Sequence, residues 1–251
     1  MEIFNPSRYG VGLVSNIQLN KLENRVSFKS NAAGDSFEST SPERFFNELE
    51  IKKMISNNPE LTKILTNNKI SVRLNMTELL ELKEKHCQET QNIAQSIVNN
   101  LPQALKQQVN IKNLKEGAIL HDFGKVLIPP EILNKNGALT PEEHKIMDLH
   151  TEIGYQLLKN TGINKEVLDL VRHHHCEKES NYIPDINVQI LNLADKYSAL
   201  TEKRVYKEAF TPQKALTIIY SDVKKGNIHP FLFNALVKSV QASELPQKIS
   251  A

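Results

Sequence analysis

Five stations along this chain place imidazole or carboxylate groups on stretches that otherwise read as apolar helix faces: His86, the pair His121-Asp122, His150, the run His173-His174-His175, and Asp195. Such groups are costly to bury unless they are paired or bound to a metal. A single histidine on an apolar face is more often a hydrogen-bonded core residue, and a buried aspartate can be a cap or an ion-pair partner. Five stations on five helices instead suggest a bundle-core metal centre, in which side chains from facing helices converge.

The adjacent pair His121-Asp122 is the most specific piece. Consecutive helix residues project about 100° apart, so both can serve one ion only near a helix end, and Gly124 is read as supplying that end. A carboxylate has two oxygens and can bridge two ions while its neighbour binds one. The pair therefore predicts a dinuclear site.

Helices must position these groups. Residues 1 to about 41 are rich in Asn, Ser and Gly and read as a flexible start, although Val11, Leu13, Ile17 and Leu19 could form a short strand. Ser41-Pro42-Glu43 reads as a helix start, with Phe45, Phe46, Leu49 and Ile55 on its apolar face. Asn75 followed by Glu78 resembles a capping box, opening a helix to about Asn99 on which Leu79, Leu82, His86, Ile93 and Ile97 share a face. Thr140-Pro141-Glu142-Glu143 opens a helix running to Lys159 and ending near Gly162, with His150 amid Ile146, Met147, Ile153 and Leu157. A helix from about Asn164 carries Val167, Leu168 and Val171 and turns His174 and His175 inward, and one from Asp185 to Leu200 carries Asp195. Thr211-Pro212 and Pro230 start the last two helices. The expected class is all-α, with residues 1–74 as an N-terminal segment of flexible start and short helices, and 75–245 as the helical domain bearing the site.

The series His121-Asp122-Phe-Gly-Lys125 with Ile128-Pro129, Met147-x-x-His150-x-x-x-Gly154, His174-His175, and Ala194-Asp195-x-x-x-Ala199-Leu200-Thr201-x-x-Arg204-x-Tyr206-Lys207 resembles the HD-GYP branch of the HD-domain phosphohydrolases. The resemblance spans residues 78 to 220 with motif order intact. It implies an HD-domain helical bundle. It also implies one metal held by His86, His121, Asp122 and Asp195, and another by Asp122, His150, His174 and His175. After its paired histidines the branch continues Glu-x-x-Asp-Gly-x-Gly-Tyr-Pro; here Cys176, Glu179, Ser180, Tyr182 and Ile183 replace the named residues and only Pro184 agrees. Where some members have a further glutamate ligand, this chain has Leu82, which argues against a third metal held in that way.

The donor set points the same way. Imidazole and carboxylate without thiolate suit two divalent transition metals, Fe or Mn first, with Ni or Zn as alternatives. Two such ions carry about +4 against about −3 from two carboxylates and a hydroxide, and Lys125 adds to a positive pocket that attracts phosphate. In this reading a metal-bridged hydroxide attacks phosphorus in line, Lys125 neutralises the phosphoryl oxygens, Arg204 or Lys207 holds a second phosphate or a base, and Tyr182 stacks on a base. The plainer alternatives are a solvated Lys125, a solvent-facing basic end at Lys203, Arg204 and Lys207, and a tyrosine packed on its own domain. His173, His144 and His229 are not needed by the scheme.

The leading expectation is a phosphodiesterase opening a cyclic dinucleotide, cyclic di-GMP or a relative, in bacterial signalling. A phosphohydrolase of a nucleotide monoester or other small phosphate is the second, and a non-catalytic signalling or interaction scaffold the third. A diiron oxygenase on the same scaffold is rarer. Charged residues make up 24% with a net +2, so charge suggests neither disorder nor binding of long nucleic acid. Two cysteines, Cys87 and Cys176, without a CxxC pair exclude a disulfide framework and a thiolate zinc site. No signal peptide or membrane span is recognisable, so a cytoplasmic location is expected, and a homodimer is compatible.

Overall fold

A computed structural model describes residues 42–175, 182–203 and 208–244. Val11, Leu13, Ile17, Leu19, Ser41, Cys176, Glu179, Ser180, Arg204 and Lys207 lie outside the described residues.

A 3-10 turn, Pro42–Phe45, leads to α1 (Glu48–Ser56) and α2 (Pro59–Asn67). Each α-helix is opened by an asparagine whose side-chain oxygen accepts main-chain N–H groups, Asn47 from Leu49 and Glu50 and Asn58 from Leu61. The helix expected to run from Pro42 therefore starts afresh at Asn47. That start turns Ile51 and Ile55 inward and leaves Leu49 61% exposed, so Leu49 is not on the core face.

The single helix expected over 75–99 is three pieces: α3 (Met76–Leu82), a π-helical turn Lys83–Cys87, and α4 (Gln88–Asn99). Asn75 makes no side-chain cap. Instead its buried amide donates to the Ile128 carbonyl and its N–H to the Val126 carbonyl, tying α3 to the segment beyond His121-Asp122. The π turn carries His86, in keeping with the frequency of such turns at functional sites.

α5 (Gln103–Lys106) and α6 (Ile111–Leu120) follow, then a 3-10 turn Phe123–Leu127 and α7 (Pro130–Leu133). The capping box at Thr140 and Glu143 forms as expected and opens α8 (Pro141–Asp148), but the helix is interrupted at Leu149 before α9 (His150–Leu158). α10 (Lys165–His173), α11 (Ile186–Thr201), α12 (Pro212–Lys224) and α13 (Pro230–Glu244) complete the chain, with Asn164, Asp185 and Thr211 capping the first three. Among the described residues every regular element is helical, which makes the fold all-α. No helix there is long and apolar enough to cross a membrane.

Two apolar clusters hold the helices. One joins Ile97, Leu114, Ala118, Leu170, Leu191, Ile219 and Leu236; the other joins Ile51, Leu61, Leu120, Phe123, Ile153, Val167 and Val171. Full burial of one such aliphatic side chain contributes roughly 1.5–3 kcal/mol. α6 and α10 feed both clusters, and they approach so closely that a Cβ on Gly117 would lie 2.5 Å from Leu170 Cδ1. Packing on both sides fixes the C-terminal ends of α6 and α10 relative to each other. Asn58 of α2 donates to the Gln156 carbonyl of α9 at 2.6 Å, which joins the N-terminal helices to the second cluster.

Candidate metal centre

Three histidines obey one local rule. His121 at the end of α6 donates Nδ1–H to the Ala118 carbonyl at 2.8 Å, and His174 at the end of α10 donates to Val171 at 2.9 Å. His150, just past α8, donates to Met147 at 2.7 Å. Each satisfies a carbonyl that a helix end leaves without an intrahelical partner. Because a carbonyl can only accept, Nδ1 carries the proton and Nε2 presents its lone pair. Helix C-termini also favour positive charge nearby. The break at Leu149 is thus what gives His150 the same setting as the other two.

Gly124 acts differently from the helix terminator expected. It has no positive φ and lies inside the 3-10 turn after Asp122. A Cβ there would sit 2.0 Å from the His150 carbonyl oxygen and 2.6 Å from the Gly154 nitrogen. Glycine is required because the main chain carrying Asp122 packs directly on the main chain of α9. That contact sets the distance between Asp122 and His150.

The seven expected ligands converge. Three groups have donor atoms close enough to share an ion: His86, His121 and Asp122; His121, His174 and Asp195; and His150, His174 and His175. Asp122 faces both sides, with Oδ2 3.4 Å from His121 Nε2 and 3.6 Å from His86 Nε2, and Oδ1 3.4 Å from His150 Nε2. Asp195 Oδ1 lies 3.0 Å from His86 Nε2 and 3.7 Å from His121 Nε2. His86, His121, Asp122, His150 and His174 are all buried.

Two observations show that this donor set fits cations. His121 Nε2 is buried without a hydrogen-bond partner. His150 Nε2 and His174 Nε2 stand 3.1 Å apart, and with both Nδ1 protons committed to carbonyls two lone pairs face each other. A shared positive charge relieves both conflicts. Cys87 is buried beside His86 yet belongs to none of the three groups.

The titration pattern divides the cluster. Burial opposes charge on His86 and His121, but hydrogen bonds that His86 donates to Asp195 and Glu202 raise it, and foremost the Asp122 charge raises His121 well above the usual imidazole range. Burial would likewise raise Asp122 and Asp195. Lys125 and the histidines outweigh it at Asp122, and His121 and His86 at Asp195, so both carboxylates stay well below the usual range. Burial and then Lys125 push His150 down to about 3, and burial with neighbouring His175 holds His174 well below its ordinary value. The two carboxylates thus favour positive charge on the His86 and His121 side, where a bound cation and a proton would compete.

Lys125 Nζ lies 2.6 Å from Asp122 Oδ2, so it is an ion-paired member of the cluster rather than a solvated lysine. Tyr182 stacks on His173 with ring centroids 4.0 Å apart, so its ring already has a partner next to the paired histidines. His144 is exposed and joins no group.

Three supporting residues escaped the sequence reading: Ser198 and Glu202, each 3.2 Å from His86 Nδ1, and Asn192, whose amide donates to the His174 carbonyl at 2.7 Å. A signal for them exists in the sequence. Asn192, Asp195, Ser198 and Glu202 recur at helical spacing, forming a polar stripe on an otherwise apolar helix.

Residues 84–200 match the family model described as HD domain. The chain is 37% identical over 122 residues to the cyclic di-GMP phosphodiesterase response regulator RpfG of Xanthomonas campestris, covering 44% of this chain and 32% of that protein. It is 35% identical over 127 residues to a cyclic di-GMP phosphodiesterase of Thermotoga maritima, covering 45% and 34%. With 3'3'-cGAMP-specific phosphodiesterase 1 of Vibrio cholerae it shares 23% over 184 residues, covering 68% and 42%. The matched region spans less than half the length of these curated relatives.

Proposed function

The chain carries an HD domain over residues 84–200, and on that premise we propose that it is a metal-dependent phosphodiesterase that opens a cyclic dinucleotide, cyclic di-GMP or a relative, to a linear product. The observation that carries the proposal is Asp122, whose two oxygens face different histidines and so join two donor sets. The names of the bacterial relatives support the substrate class.

His86, His121, Asp122 and Asp195 would hold one ion, and Asp122, His150, His174 and His175 the other. Two divalent ions, Fe or Mn by the donor set with Ni or Zn as alternatives, would supply Lewis acidity and a water-derived nucleophile at neutral pH. The carbonyl bonds to His121, His150 and His174 keep their Nε2 atoms aimed inward without reorganisation. Lys125, largely withdrawn from solvent beside Asp122, would neutralise phosphoryl oxygens at that edge. Tyr182 would meet a base by extending its stack on His173. Arg204 and Lys207 are candidates for a second phosphate by their charge and their place in the motif.

The residues after His175 favour a second reading, a phosphohydrolase of a nucleotide monoester or other small phosphate. Tyr182 and Ile183 stand where the HD-GYP branch has Gly-Tyr, and Ile183 is 65% exposed. A panel of cyclic dinucleotides, nucleoside monophosphates and a generic phosphate ester, assayed with Mn or Fe, separates the two. Linear dinucleotide product is expected; hydrolysis of monoesters alone would transfer the assignment to the second reading.

A further inference from the structure

The buried histidines are not supported alike. His121, His150 and His174 each donate Nδ1–H to a main-chain carbonyl, a neutral acceptor. His86 Nδ1 instead faces the Ser198 hydroxyl and the Glu202 carboxylate, both at 3.2 Å. From this geometry we infer that Glu202 is a positioning residue that strengthens His86 as a donor and sets the affinity of the ion on the His86 and His121 side, making the two subsites unequal. The inference rests on the metal-centre reading above.

A carboxylate accepting the Nδ1 proton fixes the imidazole ring, settles its tautomer and pushes electron density toward Nε2, where the ion would bind. A carbonyl or hydroxyl oxygen does so more weakly because it carries no net charge. The placement follows from α11. Asp195, Ser198 and Glu202 are three and four residues apart, so one helix face supplies both a candidate ligand and the two groups behind His86. Glu202 is also the C-terminal cap of α11, its N–H bonded to the Ser198 carbonyl at 2.9 Å. Its side chain is 28% exposed whereas His86 is 1% exposed, so the carboxylate reaches the buried ring from the surface. It can therefore be changed without opening the core.

Calorimetric titration of Mn2+ into the metal-free full chain tests this, using wild type, Glu202→Gln and Glu202→Asp, with melting of each metal-free protein measured alongside. Glutamine keeps an oxygen acceptor and the side-chain length but loses the charge. Wild type is expected to bind two equivalents of unequal affinity. Glu202→Gln should leave one equivalent unchanged and weaken the other by about 10–100-fold, with metal-free melting as in wild type and partial recovery in Glu202→Asp. Unchanged affinity for both equivalents in Glu202→Gln would overturn the role of Glu202 and leave the centre standing. A fall in metal-free melting with both equivalents weakened would make Glu202 a purely structural residue and overturn the inference as well. Failure of wild type to bind Mn2+ would instead overturn the metal-centre reading itself.

Discussion

Asp122→Asn is expected to empty both metal subsites and to reduce phosphodiester hydrolysis far beyond the roughly 10–100-fold that loss of an outer-shell partner costs. Asparagine matches the aspartate in shape, so the buried position stays filled, but the charge that faces three histidines and Lys125 disappears. Oδ2 serves His86 and His121 while Oδ1 serves His150, and one substitution therefore touches both sides. Asp195→Asn is the comparison, because Asp195 Oδ1 stands 3.0 Å from His86 Nε2 and 3.7 Å from His121 Nε2, on one side of Asp122. It should weaken one equivalent and spare the other. Elemental analysis of the purified variants reads the difference, and Asp122→Asn protein that keeps two metals per chain would remove the bridge from the scheme.

Gly124→Ala carries the second large effect, and it acts through the main chain. The new methyl would stand 2.0 Å from the His150 carbonyl oxygen and 2.6 Å from the Gly154 nitrogen. Neither atom is the tip of a flexible side chain. Overpacking of this kind costs about 1–3 kcal/mol, and in a chain of this size each kcal/mol lowers the melting temperature by about 2–4 °C. Relief can come only by moving the turn that follows Asp122 away from α9, which separates Asp122 from His150. The expected result is a lower melting temperature together with loss of the ion on the His150, His174 and His175 side. Gly117→Ala differs in place rather than in kind: its methyl would lie 2.5 Å from Leu170 Cδ1 and 2.8 Å from Leu170 Cβ, so it should lower the melting temperature by parting α6 from α10 and leave the contact between the Asp122 turn and α9 in place. Wild-type melting and metal content in Gly124→Ala would show that the close approach does not position the site.

Much of the candidate site was legible because imidazole and carboxylate groups are chemically conspicuous on apolar faces. His86, His150 and Asp195 each interrupt an apolar period, and adjacency made His121-Asp122 stand out. Helix starts were readable where a capping residue precedes a proline, as at Thr140-Pro141 and Thr211-Pro212. What escaped depends on contacts between distant segments. Asn75 looks like a cap locally, yet tertiary bonds to the Val126 and Ile128 carbonyls claim it. The π turn at Lys83–Cys87 and the break at Leu149 leave no mark in a 3.6-residue period, although both set the direction of a histidine. Gly124 offered a conformational explanation from sequence, and the structure supplied a steric one.

The central claim is that Asp122 joins two ions. Anomalous diffraction from crystals of the manganese-loaded chain measures this directly. Two peaks about 3.5–4 Å apart are expected, one within reach of His86, His121 and Asp195, the other within reach of His150, His174 and His175, with the Asp122 carboxylate between them. A single peak, or two peaks that do not share Asp122, would contradict it.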